Sequence, residues 1–479
     1  MGSLLLICLN GYLKMYTQNR ISVFFVHVAL GVFALCTLNA AASDLESVYT
    51  VQAPHDRWVV RALTSSNQCP SISWDNQKPV AMVLRAPQAV VPARSDSAQS
   101  DSKPSVFDIT SCEAEWPKGV QSAQVEGVAV PAPPQKINRI LIIADTGCRL
   151  KASENAFQDC NDADKWPFKK LANSAAKMKA DLVVHIGDIH YRESPCPKGN
   201  AACAGATWGY GWDAWRDDFF VPARALLGAA PWLFVRGNHE SCFRAGQGWF
   251  RFVDALPWTQ ERNCNDPAHD MKGDFSDPFV ASISKNSQFV VFDSSKSSGK
   301  AYQPADPAFI KYQEQLQLAN QLAATKPESF FINHHPLLAA APGPDATKFK
   351  AGGSGGLQSV FSSIEPARLF PTNVTIAMHG HIHLFEAISF QTDHPVSLVM
   401  GNSGSMNEGF APKVIQTTDR IYKDAVVDNY ASRSEYGFAT MDRTEENGKD
   451  AWVLTEYTPE GVAVIQCRIQ AAKSRCHPI

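Results

Sequence analysis

The sequence has no strong excess of charge of either sign, no run of like charges and no internal repeat. Its 44 basic and 47 acidic residues leave a formal net charge of −3. A chain so balanced has no basic field to draw it onto nucleic acid. The missing repeat excludes solenoids and propellers. No CxxC pair occurs among the twelve cysteines, which argues against a cysteine-held metal. Beyond the first forty residues no apolar run is long enough to span a membrane. What is present is ordinary globular material: 479 residues, 45% hydrophobic and 19% charged, enough for two domains with a large core.

The first forty residues differ in kind. Lys14 and Arg20 precede an apolar run over residues 21–38, and Ala40, Ala41 and Ala42 follow it, ahead of Ser43. A positive start, an apolar centre and small residues at the end describe a signal peptide over residues 1–42, and so a secreted or periplasmic protein. The run is long for that role, which leaves a membrane anchor, uncleaved, as the alternative. Cys8 and Cys36 lie in this leader. The other ten cysteines fall as close neighbours: Cys69 and Cys112, Cys148 and Cys160, Cys196 and Cys203, Cys242 and Cys264, Cys467 and Cys476. An even number behind a signal sequence points to disulfides, paired nearest to nearest, with buried free thiols as the alternative.

Residues 43–136 read as a small β-sandwich domain with its linker. Short apolar runs, such as 58–63 and 80–84, alternate there with turn residues. A Ser-, Asp- and Ala-rich stretch over 92–104 reads as a mobile loop, and Pro131, Pro133 and Pro134 mark the linker. From residue 137 to 479 strand-like runs alternate with helical ones, which predicts layered α and β structure. Helices are expected over about 168–179, 214–227 and 307–323. Strands over 139–144, 182–186, 232–235, 329–332 and 374–378 each run into a polar cluster. Ligands bind at the carboxyl ends of strands in such sheets, so these clusters converge on one edge.

The clusters contain Asp145, Asp188, Asn238, His334, His381 and His383, with Tyr191 three residues past Asp188. Carboxylate and imidazole together suit iron, zinc or manganese better than calcium. So many groups exceed one ion's needs, and Asp188 could bridge a pair.

The motifs Asp145-Thr146-Gly147, Gly187-Asp188-Ile189-His190-Tyr191, Gly237-Asn238-His239-Glu240, Phe331-Ile332-Asn333-His334 and Gly380-His381-Ile382-His383 resemble those of the calcineurin-like metallophosphoesterases, in this order. The likeness is to their purple acid phosphatase branch, because Gly147 replaces the histidine that most of the superfamily carries and Tyr191 is added. It spans residues 137 to about 404. The resemblance implies a four-layer α/β/β/α catalytic domain behind the smaller N-terminal β-sandwich. It implies Asp145, Asp188, Tyr191 and His383 on a ferric ion, and Asp188, Asn238, His334 and His381 on a second divalent ion, iron, zinc or manganese. The implied reaction is hydrolysis of phosphate monoesters by a metal-bound hydroxide, with His239 helping the leaving group of a small phosphorylated substrate.

Some positions depart from that pattern or compete within it. Phe331 replaces the usual valine of its motif, and His335 competes with His334 as ligand. No histidine lies between Pro336 and Pro371, where some members carry one facing substrate. His190 is expected in a loop near the substrate mouth, His379 behind the ligands, and Asp293 and Ser294 in a structural role. The loops 193–210 and 342–356 are candidates to shape specificity. A phosphodiesterase on the same site, or an envelope binding protein with a vestigial site, are the alternative functions.

Overall fold

The structure, a computed structural model, describes residues 44–94, 102–343, 348–407, 409, 415–446 and 449–479. The expected leader and most of the 92–104 loop lie outside the described residues. Residues 44–479 form one compact unit. Among the described residues no helix is long and apolar enough to cross a membrane.

Two large sheets stack face to face. The first has eleven strands in the order Lys473–Pro478, Ala463–Gln470, Lys449–Tyr457, Phe438–Glu446, Arg139–Ile143, Leu182–Ile186, Trp232–Val235, Leu45–Ala53, Arg57–Thr64, Thr110–Glu115 and Val83–Ala86. The second has eight, and at its centre Ser287–Val291, Glu328–Ile332, Val374–His379 and Val396–Met400 run parallel. The central strands of both are continuous apolar runs because both their faces are covered. Ile140, Ile142, Val184 and Leu233 meet Phe330, Ile332, Ile376 and Leu398 between the sheets. Leu141, Ile143 and Val183 face outward onto helix Phe168–Ala175 and the Trp215–Phe219 region. On the far side, Phe331 and Ala377 face helices Pro307–Ala323 and Gly355–Ile364. The result is the expected α/β/β/α layering.

The N-terminal β region packs its own core, with Val60, Ala62 and Cys112 against Ile72 and Val125 of a separate four-stranded sheet. That makes a sandwich, yet one of its sheets does not stop at the linker. Leu45–Ala53 pairs in parallel with Trp232–Val235, so the sheet continues across the expected domain boundary.

The helix expected over 214–227 is broken into Trp212–Trp215, a π turn Arg216–Phe220 and Arg224–Leu227. Pro222 supplies no amide, and its ring crowds the carbonyl four residues back. The Val221 N–H reaches instead to the Arg216 carbonyl, at 2.8 Å. The wider turn leaves Asp218 buried and facing the site strands. The five nearest-neighbour cysteine pairs are all disulfides. Part of the 342–356 loop is a hairpin, Ala340–Pro342 with Phe349–Ala351, and residues 344–347 lie outside the described residues.

Candidate metal centre

Each candidate ligand follows a strand. Asp145 and Asp188 each sit two residues beyond their strands, Arg139–Ile143 and Leu182–Ile186, and Asn238 three beyond Trp232–Val235. His334, His381 and His383 follow Glu328–Ile332 and Val374–His379. Asp145, Asp188 and His381 have φ of 56°, 54° and 72°, a left-handed backbone that turns each side chain back over its sheet edge.

Four of the groups crowd one point. Tyr191 Oη donates to Asp145 Oδ1 at 2.7 Å, and lies 3.1 Å from Asp188 Oδ2 and 2.9 Å from His383 Nε2. One phenol proton cannot serve three acceptors. His383 Nδ1 faces the Met406 carbonyl at 2.6 Å, so it carries the ring's proton and leaves Nε2 as a lone pair. A buried cluster of lone pairs and carboxylates fits a cation at its centre.

The other three meet beside Asp188. Asp188, His334 and His381 each offer one ligand atom, all within 4.8 Å of one another. His334 Nδ1 faces the Ile186 carbonyl at 2.8 Å, and its buried Nε2 has no hydrogen-bond partner although Asp188 Oδ2 is 3.0 Å away. Without a metal a proton takes that gap. Burial opposes the imidazolium, but Asp188 and Asp145 push His334 up to about 9. His381 Nδ1 lies 3.1 Å from Asn238 Oδ1. The seven candidate ligands are thus brought together as two sets sharing Asp188, and the donor set fits two metal ions.

Gly147 is set by space and not by conformation. A Cβ there would lie 2.5 Å from Asp218 Oδ2, 2.7 Å from the Ile189 carbonyl and 2.8 Å from the Tyr191 nitrogen. The segment carrying Tyr191 is packed where a side chain at 147 would stand. A histidine at 147 and this course of the Tyr191 segment exclude each other.

His239 packs against Tyr191, ring centroids 3.9 Å apart and planes tilted by 37°, with Nε2 3.8 Å from Asp188 Oδ2. Its Nδ1 lies 2.8 Å from Glu193 Oε1 and 3.0 Å from the His190 carbonyl. Burial, then the Arg244 charge, push this imidazole down to about 3. Burial acts to raise the Glu193 carboxyl, but Arg244 and His239 hold it well below the usual range.

The remaining histidines sort out differently. His190 is not at a substrate mouth: it is fully buried, its ring against Tyr210 and Trp215, because an apolar wall takes up the loop at that point. His335 is no ligand of either set. Its ring lies against that of His381, tilted by 44° with centroids 4.3 Å apart, and its Nδ1 is 3.2 Å from Ser294 Oγ. His379 is buried behind the site, facing the Asn333 carbonyl at 3.2 Å. Asp293 accepts from the Ser276 and Ser295 amides and pairs with Arg236, a structural role.

Three carboxylates support the site without having been singled out. Glu240 accepts the backbone N–H groups of Asp188, Ile189, His190 and Gly237 at 2.7–3.1 Å, cradling two motif loops at once. Asp218 accepts from the Cys148 and Tyr191 amides and from Arg192. Glu193 aims His239. Glu240 was visible as the fourth residue of its motif; a lone Asp218 or Glu193 carries no spacing that marks it.

The family of calcineurin-like phosphoesterases matches residues 138–385, just over half of the sequence. The chain belongs to that family and is accordingly a metal-dependent phosphoesterase. No curated protein sequence matches it. Among solved structures it is similar to a purple acid phosphatase isolated from yellow lupin (Lupinus luteus) seeds, at 15% identity and a TM-score of 0.51, over 91% of this chain and 74% of that one. It is similar as well to PhoD, at 12% identity and a TM-score of 0.53, over 91% and 92%. At such identities the likeness is one of fold.

Proposed function

We propose that this phosphoesterase hydrolyses phosphate monoesters in the manner of an acid phosphatase, with ferric iron and a second divalent ion, iron, zinc or manganese. The observation that carries the reading is Tyr191 Oη within 3.1 Å of Asp145, Asp188 and His383, beside a Gly147 that admits no side chain. A phenolate is a hard, anionic ligand that favours ferric iron over ferrous. The yellow lupin protein of similar fold is itself a purple acid phosphatase.

Asp145, Tyr191 and His383 would hold the iron, Asn238, His334 and His381 the second ion, and Asp188 both. Bound, such a pair supplies Lewis acidity toward phosphoryl oxygens and an activated water. The chain supplies the rest. Glu193 accepts from Nδ1 of His239, which turns Nε2 toward the metal centre, where the ring would assist the leaving oxygen once it is protonated. The leader-like start and five disulfides support a secreted or periplasmic setting, or a membrane-anchored one if the leader stays.

The test is made on iron-loaded protein. It should absorb broadly in the visible, and Tyr191→Phe should abolish the band with the fold retained. It should release phosphate faster from 4-nitrophenyl phosphate than from bis(4-nitrophenyl) phosphate. A colourless, folded, iron-loaded wild type removes Tyr191 as ligand. The reverse substrate ranking makes the protein a phosphodiesterase, and no turnover with metals bound makes it a binding protein.

A further inference from the structure

Three residues after Asp145 the chain enters a hairpin closed by the Cys148–Cys160 disulfide, in which Leu150–Lys151 pairs with Ala156–Phe157. The hairpin is strapped to the segment carrying Tyr191. The Leu150 N–H donates to the Tyr191 carbonyl at 3.0 Å, and the Leu150 carbonyl accepts from the Glu193 and Ser194 amides at 3.0 and 2.9 Å. Its cations are therefore held beside the metal centre.

Those cations are Arg149 and Lys151, joined by Arg244 from the loop after His239. Lys151 Nζ lies 3.8 Å from Glu193 Oε2 and 3.4 Å from Glu154 Oε1. Arg149 pairs with Glu154, and Arg244 with both oxygens of Glu193. Glu193 is the carboxylate that also holds His239, so Lys151 and Arg244 stand one carboxylate's width from that imidazole.

The two carboxylates in this cluster are unlike. Glu193 has 1% of its side chain exposed and is committed to His239. Glu154 is 40% exposed and ends the single 3-10 turn Ala152–Glu154, where its ion pairs are with Arg149 and Lys151. An anion that displaces Glu154 into water keeps Arg149 and Lys151 paired, so the exchange leaves no buried charge bare. Two largely buried cations would then face any anion that replaced it, a charge-assisted arrangement.

We propose that Arg149 and Lys151, backed by Arg244, form a second anion site beside the metal centre. Glu154 occupies it in the resting protein. The preferred substrates are then phosphate monoesters whose organic part carries a second anionic group, a phosphate or a carboxylate. This rests on the phosphatase reading above.

Kinetics on three substrates tests it: glucose 6-phosphate with no second anion, fructose 1,6-bisphosphate and 3-phosphoglycerate. The readout is the ratio of kcat/KM for each substrate with a second anionic group to that for glucose 6-phosphate. Wild type should favour one or both, R149Q/K151Q should lower that ratio at least about 10-fold, and E154Q should raise it. Which of those two substrates gains tells phosphate from carboxylate. A ratio near one in wild type, an equal loss on all three in R149Q/K151Q, or a fall in E154Q overturns the proposal. Calorimetry with an alkane bisphosphonate and the matching monophosphonate reads the same cluster without turnover, so it is independent of whether phosphate esters are hydrolysed. R149Q/K151Q should weaken the bisphosphonate selectively, and equal effects on both ligands overturn the second site while leaving the phosphatase reading standing.

Discussion

Glu193 Oε1 lies 2.8 Å from His239 Nδ1, and Arg244 grips the same carboxylate from the other side. The His190 carbonyl, 3.0 Å from the same nitrogen, shares in holding the ring. Glu193→Gln keeps the shape and removes the charge, and an amide can present a donor where His239 needs an acceptor. We expect kcat on an aryl phosphate to fall about 10- to 100-fold. Bound metal, read by elemental analysis, should stay at the wild-type level. Metal lost together with activity would make Glu193 a prop of the ligand loops instead of an orienter of His239. At this scale much was legible. The ligand types stood in a recognisable order, and Gly147 with Tyr191 stood out as a pair. The steric reason for that pair was not legible, since Asp218 reaches Gly147 across seventy-one residues of sequence. The burial of His190 is hidden from the sequence for a similar reason: Tyr210 and Trp215 cover it, and neither is its sequence neighbour.

Strands and loops are joined by a smaller device at the N-terminal end. Arg61, on Arg57–Thr64, and Arg85, on Val83–Ala86, donate to the Phe252 and Phe250 carbonyls at the end of helix Gly246–Phe252. Glu113 on Thr110–Glu115 balances them, 2.9 Å from Arg85 and 3.3 Å from Arg61. Burial acts to raise the Glu113 carboxyl, but Arg61 and Arg85 hold it below its ordinary value. A carboxylate depressed on folding adds stability above its unfolded pKa and loses it as pH falls through the folded one. Glu113→Gln should therefore destabilise the protein by on the order of 1–2 kcal/mol near pH 7, the partial exposure of Glu113 keeping the figure low. The gap between wild type and variant should close once the pH drops below the usual carboxylate range. Urea titrations at pH 7, 4.5 and 3 measure it, and a gap independent of pH would show that the charge does not matter. The strands themselves were legible from their apolar runs. The break after Trp215 is not legible in the sequence despite Pro222, because the surrounding pattern stays helical in period.

The candidate metal sites draw on both sheets. Asp145, Asp188 and Asn238 leave strands of the eleven-stranded sheet, and His334, His381 and His383 leave strands of the eight-stranded one. Ions bound there clamp the two halves of the molecule at one edge, and their binding energy adds to folding stability. Chelation should lower Tm by about 5–10 °C, and returning metal should restore it. Asp188→Ala, which removes the shared ligand, should melt at the same temperature with or without chelator. A chelator effect that survives in that variant would locate the stabilising metal elsewhere. The amino-acid sequence by itself determined which elements form, because apolar periodicity and turn residues act locally. It displayed the candidate ligands too, because each stands a few residues past the end of an apolar run. The disulfide pairs were within its reach, since their partners are near neighbours. Tertiary structure alone decided that the N-terminal sheet continues into the catalytic one, through the Val51 and Trp232 pairing across 181 residues. It alone brought Glu193 to His239, Asp218 to Gly147, and Arg149, Lys151 and Arg244 to one rim. Such contacts depend on where packed elements come to rest, and no local pattern along the chain encodes a distance between separate loops.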